Sequence, residues 1–465
     1  MSAVFSLHRF VRKIFLPVCF ALLLFLSAFT ASAGDFNWER HSGDSLLVLL
    51  SKHPYAETII SHLDKFEQLT GIQVAVLVIP EARYFSTLAK SFTAVAGRPD
   101  VFMTGPYQVW EYALQGHMAE LDLFLTNPIK TRATYAYRDF FPAVSGAFRW
   151  NGKAGQKTGD GALWAIPMGF ETNSLSYNHE VLATFRLSPP ASIEDMIDVG
   201  STLRDFNGKG SYGVAVRGAN AWNTLHSGYM TAYVNYGAED MVVENGKLVS
   251  KVNSPKAVAM TDLWLDMLDK AGPVDWHDYD WYRCAEELGS RKAAMMFDAD
   301  IFGYLKNVEG VSSQSGRLAL ALPLAPRGAD PAGIKSNLWV WGLSINEHSE
   351  RKDAAWFFIQ YFTSKEFQTY SVLEAKAINP PRRSIFESSA FLETIASMEG
   401  FSQTFAALFD NTAIQFTPNP HFSEIAGKWV ATLHDIADGK YVSTQDGMND
   451  LKRWMDERLR DVPVE

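Results

Sequence analysis

The stretch GALWAIPMGFETNSLSYN, running from Gly161 to Asn178, decides how this chain is read. Ala165, Ile166 and Pro167 form an apolar run, Glu171 and Asn173 interrupt it, and Leu175 and Tyr177 resume it with a period of two. That alternation predicts a β-strand with a polar fault at its midpoint. A carboxylate and an amide in mid-strand are badly placed for a core. They suit a crossing between two domains, with a ligand held between them.

Outward from this strand, the same α/β grammar repeats. Ser45 to Leu50 is a nearly continuous apolar run, as expected of a parallel strand buried on both faces. Ile59, Ile60, Leu63, Phe66 and Leu69 follow at helical spacing, Gly71 supplies a left-handed stop, and Val74, Val76 and Val78 begin a second strand. This β-α-β unit predicts a right-handed connection. Asp100–Met103, Tyr212–Val216, Ala293–Phe297, Leu318–Leu322 and Val340–Ile345 read as further strands. Ser192 with Asp195 predicts a capped helix buried through Ile193, Met196, Ile197, Leu203 and Phe206. Another helix is expected from Asp353 to Phe362, and the last hundred residues read as mainly helical. The fold class is α/β, with ligand chemistry expected at the carboxyl ends of the strands.

The amino terminus reads as a cleavable leader. Arg9, Arg12 and Lys13 precede the apolar run Ile14–Phe29, and Ala31-Ser32-Ala33 offers a small-x-small cleavage site before Gly34. Export to a periplasm is therefore expected. Without residues 1–33 the chain is too long for one ordinary core and suits two domains. It keeps 39 basic against 52 acidic residues, a net charge of about −13, which argues against nucleic acid or anionic lipid as a partner. Cys284 is then the single cysteine, so no intrachain disulfide can form and stability must come from packing.

The loops that follow the strands carry similar chemistry. His53 and Tyr55 follow the first strand, and Tyr107 and Gln108 the third. Arg217, Asn220 and Trp222 follow Val216, Asp298 and Asp300 follow Phe297, and Trp339 and Trp341 flank Val340. With Glu171 and Asn173, these supply aromatic faces, carboxylates, amides and a guanidinium. A polyhydroxylated ligand needs that set, because a sugar ring packs on an aromatic face while its hydroxyls take paired hydrogen bonds. Each residue also has a structural reading. Most tryptophans are half-buried core residues, a histidine before proline is commonly a turn residue, Asp298 or Asp300 can cap a helix, and Arg217 can simply pair with a carboxylate. GKGSYG, Gly208 to Gly213, fits a dinucleotide pattern but precedes a strand, so it reads as a turn. DWHDYD, Asp275 to Asp280, lacks the spacing of a calcium loop or a zinc helix. There is no G-x-S-x-G, H-E-x-x-H or Walker A motif, and neither metal nor cofactor is expected.

Five segments in order resemble extracellular solute-binding proteins of family 1, which capture substrates for bacterial carbohydrate ABC importers. They are FEQLTGIQV from Phe66, GRPDVFMTGPYQVWEYALQGHMAELD from Gly97, ALWAIPMGFETNSLSYNHEVL from Ala162, RKAAMMFDAD from Arg291 and SNLWVWGLSINEHSERKDAAWFFIQYFTSKE from Ser336. The resemblance implies a periplasmic binding protein-like fold, with two α/β lobes joined by hinge strands and a ligand cleft between them. Residues 34–170 and 297–342 would form the first lobe, 171–296 and 343–465 the second. Crossings would lie near Gly169–Asn173, Phe297–Ala299 and Val340–Leu343. RGANAW from Arg217 and the WVWGLSIN strand look most like members that carry sugars or polyols. No lipobox is present, a departure from lipid-tethered relatives. The implied ligand is a sugar, small oligosaccharide or sugar alcohol, held by a monomer that delivers it to inner-membrane permease subunits. Trp222 or the Trp339/Trp341 pair would stack on it, Glu171, Asp298 and Arg217 would hold hydroxyls, and Arg382 in NPPRRS would reach the rim. Rival readings are a glycoside hydrolase using Glu171 and Asp298, a binding protein for a non-carbohydrate solute, and a sensory partner of a membrane receptor.

Overall fold

A computed structural model describes residues 35–464; the proposed leader, residues 1–33, lies outside them. Nine strands form one sheet: β1 (Ser45–Ser51), β2 (Gln73–Ile79), β3 (Val101–Thr104), β4 (Ile166–Asn178), β5 (Tyr212–Ala215), β6 (Ala293–Ala299), β7 (Leu318–Ala321), β8 (Ser336–Ile345) and β9 (Thr412–Ala413). Their order is β2-β1-β3-β8-β4-β6-β5, with β7 also paired to β4 and β9 to β8. The first three strands are parallel, as the β-α-β pattern requires.

The polar fault does not interrupt β4. All thirteen residues are strand, and only Tyr177 is not fully buried. What changes in mid-strand is the partner. Ile166 to Thr172 run antiparallel to β8, whereas Asn173 to Tyr177 run antiparallel to β6, and Leu175 to Asn178 to β7. The switch falls between Thr172 and Asn173. Buried polar groups need partners, and several here have them, although Asn173 Oδ1, Ser174 Oγ and Asn379 Oδ1 have none among the described residues. Asp300 accepts the Thr172 N–H at 3.1 Å and its hydroxyl proton at 2.9 Å, and both its oxygens take the Asn379 amide, at 2.9 and 3.0 Å. The Asn173 amide donates to the Asn337 carbonyl at 2.9 Å, and Ser336 Oγ accepts the Asn173 N–H at 2.6 Å.

After β6 the chain enters the helix Asp300–Asn307, which packs on β4 and β7. β7, placed with the first lobe by the sequence reading, therefore hydrogen-bonds beside β5 and β6 through β4. Leu343–Ile345, placed with the second, pair with Met103–Val101 of β3. The ladder hydrogen bonds of these short strands are invisible in their composition. The helix Lys352–Phe362 packs back on β8, and Ser389–Ala396 and Phe401–Leu408 lead the chain to β7, where the Leu320 N–H donates to the Glu399 carbonyl at 2.8 Å.

Two helices differ from their periodicity. The run through Ile59 and Leu69 is broken into Pro54–Ile60 and Leu63–Thr70. Ser61 Oγ donates to the Thr58 carbonyl at 2.7 Å, a local bond that competes with helix propagation, and His62 leaves helical geometry. Gly71 ends the second piece in the left-handed region as expected, at φ +70°. The helix capped by Ser192 Oγ, which accepts the Asp195 N–H at 3.0 Å, ends at Thr202 rather than reaching Phe206.

Where β3 meets the helix Pro106–Tyr112, the ring of Trp339 lies directly over Gly105. A Cβ there would sit 1.9 Å from Trp339 Cη2. Gly105→Ala should lower stability by about 1–3 kcal/mol through overpacking. Gly333→Ala, where a Cβ meets nothing within 4 Å, should change it by less than about 0.5 kcal/mol. Thermal unfolding of the two variants checks the difference.

Candidate functional site

Glu171 lies on β4 one residue before Thr172, and two N–H groups converge on its Oε1. One is Trp341 Nε1 of β8 at 3.1 Å, the other His53 Nε2 at 3.1 Å. The histidine tautomer follows from its own cap. His53 opens the helix Pro54–Ile60, and its Nδ1 accepts the Tyr55 N–H at 3.3 Å, so its proton is on Nε2 and points at Glu171. Burial lowers the His53 pKa to about 3, so the ring is neutral. Burial likewise raises the Glu171 carboxyl to about 8, against the opposing pull of Arg217. The contact is thus a hydrogen bond from a neutral imidazole rather than an ion pair.

Arg217, just after β5, and Asp298, on β6, are both buried and paired face to face. Arg217 Nε donates to Oδ2 at 2.8 Å and Nη2 to Oδ1 at 2.7 Å. The remaining Nη1 donates to the Asn223 carbonyl at 3.2 Å and to His226 Nε2 at 2.8 Å. Asp298 Oδ1 also accepts the Ala299 N–H at 2.7 Å. A bidentate pair of this kind is strong and directional, and it leaves little of either residue for another partner.

An aromatic cluster joins these polar groups. Trp339 and Trp341 stand edge to face at 5.0 Å and are both buried. Trp341 faces His53 at 5.3 Å, and Trp339 faces Tyr107 at 5.2 Å and the half-buried Trp222 at 5.5 Å. Asn337 Nδ2 donates to Tyr107 Oη at 2.9 Å, and Asn337 in turn accepts the amide of Asn173 on its carbonyl. A groove of about 830 Å³ opens beside the cluster, between the helices Pro54–Ile60, Trp281–Gly289 and Asp300–Asn307. Its inner wall is the stacked pair Trp281 and Phe302, 4.2 Å apart, whose rings also approach His53. Among the described residues no group of three His, Cys, Asp or Glu side chains could hold a metal ion, and no helix is long and apolar enough to cross a membrane.

Residues 62–399 match the family model described as bacterial extracellular solute-binding protein. The chain belongs to this family. An erythritol/L-threitol-binding protein of Mycolicibacterium smegmatis is 36% identical to it over 408 residues, covering 87% of this chain and 84% of that one. Two solved structures share its fold at 18% identity. The Agrobacterium vitis ABC transporter solute-binding protein with bound D-mannitol has a TM-score of 0.75, covering 90% of this chain and 99% of that one. The Agrobacterium radiobacter protein in complex with ribitol has a TM-score of 0.74, covering 88% and 98%. Family and neighbours alike are binding proteins rather than enzymes.

For this solute-binding protein, the two-lobed α/β fold expected from the sequence is the one found. His53, Tyr107, Glu171, Asn173, Arg217, Trp222, Asp298, Trp339 and Trp341 all belong to one connected cluster. Tyr55 adjoins it in a structural role: its hydroxyl bridges the carbonyls of Ile378 at 2.6 Å and Phe170 at 3.1 Å, and its ring fills the space above Gly169. Arg382 is not in the cluster. Its guanidinium is buried, donates to the carbonyls of Thr363 and Ala136, and lies 4.1 Å over the ring of Phe140.

Three residues of the site were missed. Asn337 and His226 carried no motif, although His226 lies four residues after Trp222, a spacing that can bring side chains together. Glu81 opens the helix Glu81–Phe92 and accepts from Asn223 Nδ2 at 2.8 Å and from Trp281 Nε1 at 2.5 Å, tying that helix to the segments after β5 and before β6.

Because folding raises the Glu171 pKa from about 4.5 to about 8, its contribution to stability is whole below the lower value and is lost as pH rises toward the upper one. The melting temperature of wild type minus that of Glu171→Gln should therefore fall between about pH 5 and about pH 8. A difference that does not change with pH would contradict the shift. Arg382→Met should cost about 2 kcal/mol or more by removing charge-assisted hydrogen bonds, and should leave affinity for any ligand unchanged in calorimetry.

Proposed function

We propose that this chain is the capture component of an ABC importer for a small neutral polyhydroxylated solute, a sugar alcohol or sugar, acting in the periplasm after removal of its leader. The observation that carries the reading is the convergence of Glu171, His53 and Trp341 with Trp222, His226 and the Arg217–Asp298 pair, groups contributed by strands and loops on both sides of the β4 switch. Aromatic faces mixed with hydrogen-bonding groups suit polyols. The charge of Arg217 is answered by Asp298, so an anionic solute would find no free cation there. The name of the M. smegmatis relative supports the same class of ligand.

In this reading one lobe is built on β1, β2, β3, β8 and the first half of β4, the other on β5, β6, β7 and its second half. Ligand would bridge them and shift an open–closed equilibrium toward the closed form, which a membrane permease would then engage. Glu81 with Asn223 and Trp281 would fasten the closed state. A glycosidase reading that pairs Glu171 with Asp298 is disfavoured because both oxygens of Asp298 are engaged by Arg217.

A thermal-shift screen with erythritol, ribitol and D-mannitol should raise the melting temperature for at least one of them through linkage, with compaction in solution scattering. Trp222→Ala should abolish the shift of the best ligand. No shift with any polyol or sugar, or release of phenol from an aryl glycoside, would overturn the proposal.

A further inference from the structure

His226 is a titratable side chain of the cluster that its hydrogen bonds leave partly unsatisfied. It sits in the turn Leu225–Tyr229 and is 3% exposed. A guanidinium offers only donors, so the 2.8 Å contact with Arg217 Nη1 makes His226 Nε2 the acceptor. A neutral ring in that position carries its proton on Nδ1. This Nδ1 is buried and has no partner among the described residues. Leaving a buried donor unmade is costly, and folded proteins keep few such groups without a reason.

The surroundings point to what accepts that proton. The ring is packed among Trp339 at 5.0 Å, Trp222 at 5.8 Å and Tyr107 at 6.3 Å. One other side chain of the cluster also has a buried atom without a partner, Asn173 through Oδ1. Asn337 ties His226, Asn173 and Tyr107 together, since it donates to Tyr107 Oη and to the His226 carbonyl while accepting from Asn173. The cluster therefore holds a spare donor and a spare acceptor, neither of them charged. A hydroxyl, which both donates and accepts, complements both. His53 differs in this respect, because both of its nitrogens are already bonded.

We propose that His226 is a specificity-determining residue whose Nδ1–H donates to a ligand hydroxyl, and that Asp298 and Arg217 are positioning residues that hold it in that tautomer. The inference rests on the polyol reading of the cluster and assigns one of its contacts. The guanidinium occupies Nε2 and is itself held by the Asp298 carboxylate, so neither charge needs to touch the ligand. The ionisable groups that face the imidazole are Arg217 at Nε2 and the Tyr107 ring, with Asp298 behind Arg217. Burial first, and then the Arg217 charge, hold the His226 pKa well below 6.5, which keeps the donor neutral across the pH range in which a periplasmic protein works.

Isothermal calorimetry with erythritol, ribitol and D-mannitol on the full mature chain tests this, using two isosteric variants. His226→Asn places an amide nitrogen where Nδ1 sits, whereas His226→Gln places its amide near Nε2, where it can still accept from Arg217. His226→Gln should lose about tenfold or more in affinity, the equivalent of about 1.4 kcal/mol, with the ligand-free melting temperature unchanged. His226→Asn should keep most of the wild-type affinity. Imidazole nitrogen resonances should report a proton on Nδ1 that does not titrate between about pH 5.5 and about pH 8, and should move when the best polyol is added. Wild-type affinity in His226→Gln, affinity losses in both variants that merely follow a lower melting temperature, or a proton on Nε2 would each overturn the assignment. If the wild type binds none of the three polyols, the polyol reading itself fails. If it binds and His226→Gln binds equally well, only the role of His226 fails.

Discussion

The structure depends on a change of partner within one strand. β4 pairs with β8 up to Thr172 and with β6 from Asn173 onward, so two groups of strands share a single backbone. At such a junction the side chains of both groups meet, and burying polar ones is costly unless their donors and acceptors find counterparts. Asp300 supplies them for the N–H and hydroxyl of Thr172 and for the amide nitrogen of Asn379, joining β4, the helix after β6 and the segment that returns toward β7. Burial pushes its carboxyl up to about 7 in spite of these hydrogen bonds. Asn379 itself is held at φ +68°, a left-handed conformation that asparagine tolerates better than most residues.

Beside this junction, the ionisable groups are organised around one another. Asp298 and Arg217 form a bidentate pair in a nearly dry setting, where separating them would strand a buried charge at a cost of several kcal/mol. Glu171 and His53 meet as a raised carboxyl and a neutral imidazole. The cluster is therefore rich in oriented dipoles and poor in uncompensated charge. Such a surface can grip hydroxyl groups without requiring the solute to bring a charge of its own.

The contacts between the two groups of strands include polar ones beside the aromatic pairs Trp222–Trp339 and His53–Trp281. Glu81 takes N–H groups from Asn223 and Trp281, and Tyr282 Oη donates to the carbonyl of Lys52. In the proposed opening each such bond would exchange with water, so its net worth is of the order of 1 kcal/mol. A few bonds of that size can hold a closed form that is still sensitive to what lies inside it, because a ligand shifts the balance only by its difference in affinity for the two states.

Much of the fold was legible in the residues themselves. Apolar runs of strand length, helices with period 3.6, the stop at Gly71 and the cap at Ser192 are local features, governed by side-chain spacing and backbone preference. The polar fault at Glu171 and Asn173 was legible for the same reason, since it breaks a pattern that can be seen in thirteen consecutive residues. The pairing of β7 with β4, the partnership of Arg217 with Asp298 across 81 positions, and the burial of Arg382 against Phe140 were not, because hydrogen bonds between distant segments leave no mark on local composition. Arg217 and Arg382 look alike as letters, and only their surroundings send one to the cluster and the other to backbone carbonyls. The sequence by itself determined the α/β alternation and the residue types near the cleft. Tertiary structure alone decided which nitrogen of His53 and of His226 bears a proton, because that choice depends on the partner folding brings to each ring.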